Sequence, residues 1–226
     1  MRKKGKFIVI DGTDGSGKAT QTEILRKKLV KARCRVFVED FPQYGQKSAG
    51  LVEEYLNGKF GSAKELGPYI PSMFYAVDRF AAAKRIRKNL ESGAIVISNR
   101  YTSANMGHQG GKILNRQGRK KYFQWLFDLE YKFFKIPKPD LTVILHMPAA
   151  VAQSLVDKKS ARSYIKGKKR DLHEADLKHL KQAEKTYIEM SKLFHYPLIE
   201  CFEKGRILTR EEIADKLYAK VLKKLK

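Results

Sequence analysis

The 226-residue chain is poor in sulfur and in acid: it holds two cysteines, Cys34 and Cys201, a single tryptophan, and 24 Asp plus Glu against 47 Lys plus Arg. Cysteines so far apart, with no His or Cys at metal-ligand spacing, exclude a disulfide scaffold and a zinc module and point to a reducing, cytoplasmic setting. No run approaches the roughly 18 apolar residues a spanning helix needs. The short apolar stretch that follows Met1-Arg2-Lys3-Lys4 does not have the form of a signal peptide. What the acid deficit leaves is a formal charge of +23. So basic a protein meets something anionic, which is a nucleic acid, a membrane surface or a phosphorylated small molecule. The charge does not signal disorder, because 42% of the residues are hydrophobic and 11% aromatic. The length fits one domain with a proper core, spanning residues 1–226.

Apolar runs at Phe7-Ile8-Val9-Ile10, Val36-Phe37-Val38, Ala94–Ser98 and Leu141–Leu145 read as strands, with a weaker fifth at Pro197–Cys201. They are continuous, not alternating, so both faces are covered, as in a parallel sheet between helical layers. Helical patterns follow the first strand to about Val30 and run from Pro71 to about Glu91, with Gly93 just beyond. Asp171 with Glu174, and Thr209 with Glu212, match the capping-box pattern ahead of helices over 171–195 and 209–225. The predicted fold is a doubly wound α/β domain with a five-stranded parallel sheet, helices on both faces and its site at the C-terminal strand ends. The segment Lys158–Arg170 is dense in Lys and Arg and reads as a basic loop.

Gly12-Thr13-Asp14-Gly15-Ser16-Gly17-Lys18 lies between the first strand and the first helix, the context that makes a P-loop of this pattern. The glycines let backbone N–H groups converge on a phosphate, the helix N-terminus adds partial positive charge, and Lys18 reaches the outer phosphates. The bound partner is then ATP with Mg²⁺, and the chemistry is phosphoryl transfer. One position departs from the motif. Ala19 stands where a Ser or Thr hydroxyl normally meets Mg²⁺, and Thr20 comes one place late. Ala19-Thr20-Gln21 is similar to the Gly-Thr-Gln of adenylate-kinase-like enzymes, which points toward nucleoside monophosphate kinases.

Three stretches in order resemble the thymidylate kinase family, whose members pass the ATP γ-phosphoryl group to dTMP: the P-loop with Asp14 inside it, Met73-Phe74-Tyr75-Ala76-Val77-Asp78-Arg79, and Asn99-Arg100-Tyr101 through Gln109-Gly110. The resemblance implies that Asp14 contacts the acceptor's 3′-hydroxyl, that Tyr75 stacks on thymine, and that Arg79, one helical turn on, contacts base or phosphate. It also implies that Arg100 grips the acceptor phosphate, for which a guanidinium fork is suited. Asn105 falls where some members place an asparagine toward the thymine edge, Gln109 matches the family's substrate-binding motif, and Phe41-Pro42 resembles the Phe-Pro of eukaryotic members, where the loop nears the acceptor. A homodimer and a P-loop NTPase fold are implied in the same way.

The family's aspartate before Arg100 is here Asn99, its serine is Ala104 and its tyrosine is His108. Asn99 can bond a metal-bound water but brings no charge, which leaves Asp11, Asp14 and the ATP phosphates as Mg²⁺ candidates. His108 keeps ring bulk beside the sugar, a bar to a 2′-hydroxyl. Gly15 follows Asp14 where some members carry an arginine, so the charge over the transferring group is expected from Arg162 or Arg170 in a lid over about 158–171. The surplus lysines, as in Arg26-Lys27-Lys28, Arg119-Lys120-Lys121 and Lys223-Lys224, are not interleaved with aromatics and read as surface charge. Membrane and nucleic-acid partners are not expected. Two rivals stay open: a kinase for another nucleotide or nucleoside, and a nucleic-acid-binding protein on a degenerate P-loop scaffold.

Overall fold

A computed structural model describes residues 4–62, 64–157 and 177–225. The first βα unit is β1 (Phe7–Gly12) and α1 (Lys18–Lys31), followed by β2 (Val36–Asp40), a short α2 (Gly50–Leu56) and the long α3 (Tyr69–Glu91). Then come β3 (Ile95–Asn99), α4 (Thr102–His108) and α5 (Arg116–Phe127), which runs into a π-helical turn over Asp128–Phe133. β4 (Leu141–His146), α6 (Ala149–Asp157), α7 (Leu177–Leu193), β5 (Leu198–Glu200), a small ribbon of β6 (Phe202–Glu203) and β7 (Arg206–Ile207), and α8 (Arg210–Leu225) complete the described chain.

β1 to β5 form an all-parallel sheet in the order β2-β3-β1-β4-β5. The order places β1 at the centre, and crossovers leave it in both directions, so the loop after β1 opens at a topological switch point where ligands bind. The continuous apolar runs of β1, β3 and β4 are buried on both faces, as the sequence predicts, whereas in the edge strand β2 Val36 and Phe37 are half-buried and Val38 is exposed. In β1, Ile8 and Ile10 pack with Leu25 and Leu29 of α1 and Leu217 of α8, while Phe7 and Val9 pack with Ala82 and Ile86 of α3. Side-chain alternation along one strand thus serves both layers.

Helix ends follow local chemistry. Thr209 Oγ1 accepts from the Glu212 N–H at 3.1 Å while Glu212 accepts from the Thr209 N–H at 2.7 Å, the reciprocal capping box expected there. α3 begins at Tyr69, two residues ahead of Pro71, and ends before Gly93, whose φ is 82°. The Asp171–Glu174 box and the Lys158–Arg170 loop lie outside the described residues. α4 comes close to α7 because Gly107 has no side chain: a Cβ there would sit 2.4 Å from the Tyr187 ring. No helix among the described residues is long and apolar enough to cross a membrane.

Candidate active site

The strand ends converge on a cavity of about 320 Å³ lined by the P-loop, the β2 and β3 ends, α3 and α4. Its P-loop wall consists of Asp14, Gly15, Gly17, Lys18 and Ala19. Gly17 stands at the start of α1 in the left-handed conformation, and among the described residues no side chain caps that helix N-terminus, the end at which backbone N–H groups suit an anionic ligand. Gly12, Thr13 and Ser16 are buried within the loop, and Ser16 Oγ is buried without a partner among the described residues. Lys18 folds back over the loop and donates to the carbonyls of Gly12 at 3.0 Å and Thr13 at 2.8 Å, with Asp14 at 3.9 Å. Thr20 is exposed and does not line the cavity.

Gly15 is fixed by geometry. Its φ is 82°, and a Cβ there would stand 2.3 Å from the Ala152 carbonyl oxygen, so this loop admits no side chain at the position.

Arg100 extends from the end of β3 at φ 66°, an uncommon conformation for a non-glycine residue. Its N–H donates to Ile10 of β1 at 3.0 Å, and Ser98 Oγ donates to its carbonyl at 2.6 Å, so the strained backbone is held on both sides. The guanidinium Nη2 donates to Asp14 across the cavity, and Nη1 lies 3.1 Å from His108 Nε2.

Arg79 lines the same cavity but is fully buried, and its Nε and Nη2 both donate to Glu130, each at 2.7 Å. Its neighbour Asp78 is buried as well. The Asp78 carboxylate accepts from the Gln43 N–H at 2.9 Å and from Ser48 Oγ at 2.6 Å, which ties the loop after Phe41-Pro42 to α3. Phe41, Tyr75, Asn105, His108 and Gln109 line the cavity, and Asn105 Nδ2 donates to the Ser72 carbonyl at 3.1 Å.

The chain is matched by the thymidylate kinase family model over residues 10–200. It belongs to the thymidylate kinase family. Among curated relatives, a probable thymidylate kinase of Pyrobaculum aerophilum is 28% identical over 195 residues, 86% of this chain and 87% of that one. The thymidylate kinase of Mycobacterium tuberculosis H37Rv is 29% identical over 186 residues, 82% and 85% of the two chains. A solved structure of thymidylate kinase from Candida albicans superposes with a TM-score of 0.70 at 20% identity, covering 99% of this chain and 94% of that one, a likeness of fold.

Within this thymidylate kinase frame, another expected residue besides Thr20 lies outside the cavity lining. Asp11, a Mg²⁺ candidate by sequence, is fully buried and does not line the cavity. It accepts from the Gly12 N–H at 2.8 Å, from the Tyr187 hydroxyl at 2.9 Å and from Ser103 Oγ, and these donors turn both its oxygens into the fold. Sequence reading missed Asp40, a carboxylate at the end of β2 that opens on the cavity and accepts from Asn99 Nδ2 at 2.8 Å. The surrounding walls raise its pKa by desolvation, against the pull of the Arg100 charge and the Asn99 hydrogen bond. Its signal was its place next to Phe41-Pro42 at a strand end. Glu130 gave no signal, because only the fold brings a π-helical turn under α3. Arg162 and Arg170 lie outside the described residues.

Proposed function

We propose that this chain is one nucleotide kinase domain that transfers the γ-phosphoryl group of ATP to dTMP, yielding dTDP and ADP. A dTMP phosphate oxygen attacks the γ-phosphorus, the bond from that phosphorus to the β,γ-bridging oxygen breaks, and ADP leaves with the electron pair. The transition state of such a transfer spreads charge over the moving oxygens, so the protein's work is positioning and neutralisation. Lys18 and the first N–H groups of α1 serve the ATP phosphates. Arg100 serves the acceptor phosphate, and Asp14 turns from its pairing with Arg100 to the 3′-hydroxyl. Tyr75 and Phe41 frame the base, with Asn105, Gln109 and Arg79 on the same cavity wall, and His108 lies toward the sugar.

The donor set beside the P-loop fits Mg²⁺. Asp14 and Asp40 line one cavity, and Asn99 Oδ1 is buried beside Asp40 without a hydrogen-bond partner among the described residues. Hard oxygen donors of this kind, one or two carboxylates plus substrate phosphates and water, are what Mg²⁺ takes. Asp14 and Asp40 would hold it, with Asn99 on a bound water. When bound, the ion neutralises charge on the ATP phosphates.

A homodimer is part of the proposal. Met73, Val77 and Phe80 form an exposed apolar stripe along α3, with Phe133 exposed nearby on the π-helical turn that packs Phe134 against Phe80. The unbonded Cys34 and Cys201 accord with a cytoplasmic setting. The observation that carries the functional reading is Arg100 placed between Asp14 and His108, opposite the P-loop, in a chain of this family. A coupled assay of ADP formation across dTMP, dUMP, dCMP, AMP and thymidine tests it: dTMP is expected to be the best acceptor, and a better turnover of any other acceptor overturns the assignment.

A further inference from the structure

The contact between Arg100 and His108 has a fixed polarity. A guanidinium has only donors, so the His108 Nε2 that lies 3.1 Å from Nη1 has to present its lone pair, and the ring proton sits on Nδ1. His108 is buried, and burial together with the charges of Arg100, His179 and Lys18 lowers its pKa well below the ordinary histidine value, against the opposing pull of Asp14. That direction accords with the acceptor role the contact requires.

The ring is held from two further sides. His179, in the first turn of α7, stacks on it with centroids 5.7 Å apart and planes 21° from parallel, its Nε2 3.5 Å from His108 Nδ1. Tyr187, two turns further along α7, meets it edge-on at 5.7 Å. Tyr187 is itself tied through its hydroxyl to Asp11 under the P-loop. His108 is therefore a rigid acceptor anchored to α7, facing one end of a guanidinium whose other end is drawn across the cavity by Asp14.

We infer that His108 is a positioning residue for Arg100, accepting from Nη1 through Nε2 and thereby aiming the remaining guanidinium N–H groups at the acceptor phosphate. Without it, Asp14 alone decides where the fork points, and it draws the fork onto the carboxylate that the sugar hydroxyl needs. A ring in the place of the family's tyrosine thus has a second task besides filling space beside the sugar. The inference rests on reading Arg100 as the acceptor-phosphate arginine.

Two readouts on the full chain test it. In ¹⁵N spectra of the histidine side chains, with His108 assigned through H108Q, Nε2 is expected to be unprotonated and Nδ1 protonated. A proton on Nε2 sets two donors face to face and overturns the contact. In steady-state kinetics, H108F is expected to raise the dTMP KM about tenfold to a hundredfold, the worth of a hydrogen bond to a charged group, with the ATP KM unchanged. H108Q, which keeps an acceptor near Nε2, is expected to recover most of that loss. Equal KM values for H108F and H108Q, or wild-type behaviour of H108F, overturn the positioning role, and matched melting temperatures separate it from a folding defect. If wild-type protein does not phosphorylate dTMP, the functional reading falls, and the ¹⁵N readout still decides the contact.

Discussion

Asn99 Nδ2 donates to the Asp40 carboxylate at 2.8 Å, at the adjacent ends of β3 and β2. An aspartate at position 99 would set two carboxylates at that spacing, and they could not both remain ionised. The neutral amide that ends β3 and the acid that ends β2 therefore form one unit, in which Asp40 carries the charge. D40N is expected to weaken the Mg²⁺ dependence of ATP binding about tenfold or more, the usual cost of losing a supporting group at a metal site. Calorimetric titration of ATP with and without Mg²⁺ checks this, and an unchanged Mg²⁺ effect refutes it. N99D is expected to raise the pKa of the pair.

The Arg79–Glu130 pair makes a second prediction. Both residues are fully buried and joined by parallel hydrogen bonds at 2.7 Å. Replacing one partner strands a charge in the interior, so E130A is expected to lose about 3–5 kcal/mol of stability. Urea unfolding measures it. A loss under about 1 kcal/mol, typical of an exposed pair, would mean the pair is not closed from water.

How much of this was legible in the sequence follows from how local each signal is. The P-loop, the strands of β1, β3 and β4, and the Thr209–Glu212 box are written in contiguous residues, and all appear as read. Arg100 and Tyr75 were legible as motif residues. Asp40 and Glu130 were not, because an acid at a strand end or on a helix looks like solvated surface until tertiary structure sets it against Asn99 or Arg79. Asp11 fails in the opposite direction. An aspartate at the end of a P-loop strand looks like a metal ligand, and it takes the Ser103 and Tyr187 hydroxyls, 92 and 176 residues away, to show that its oxygens are occupied.

His146 supplies a pH dependence. It bridges Glu200 at 2.5 Å and Glu184 at 3.0 Å, and Glu184 also accepts from the Ala149 N–H at 2.9 Å, which joins β4, β5, α6 and α7. Desolvation lowers its pKa, but hydrogen bonds to Glu200 and Glu184 outweigh that and raise it above 6.5. A histidine raised in the folded state contributes stability that is fully present below its unfolded pKa and is lost as pH rises through the folded one. The melting temperature of wild-type protein is expected to fall more than that of H146Q between pH 6 and pH 9. Parallel curves would refute the bridge.

The closed space at Gly15 bears on the lid. With no side chain possible at position 15, an arginine over the transferring group has to come from elsewhere than that position, and Arg162 and Arg170 are the arginines between α6 and α7. The double variant R162M/R170M is expected to lower kcat about a thousandfold, the scale of an arginine acting on a phosphoryl transition state, with little change in ATP affinity. Retained kcat would refute the lid.

The most direct measurement of the central claim follows the phosphoryl group itself. Purified protein is incubated with Mg²⁺, dTMP and ATP labelled with ³²P at the γ position, and the products are resolved by thin-layer chromatography. The structure and its family predict label in dTDP, formed in step with ADP and lost in R100A. Label appearing only as inorganic phosphate, or remaining in ATP while another nucleotide is phosphorylated in a parallel lane, would contradict it.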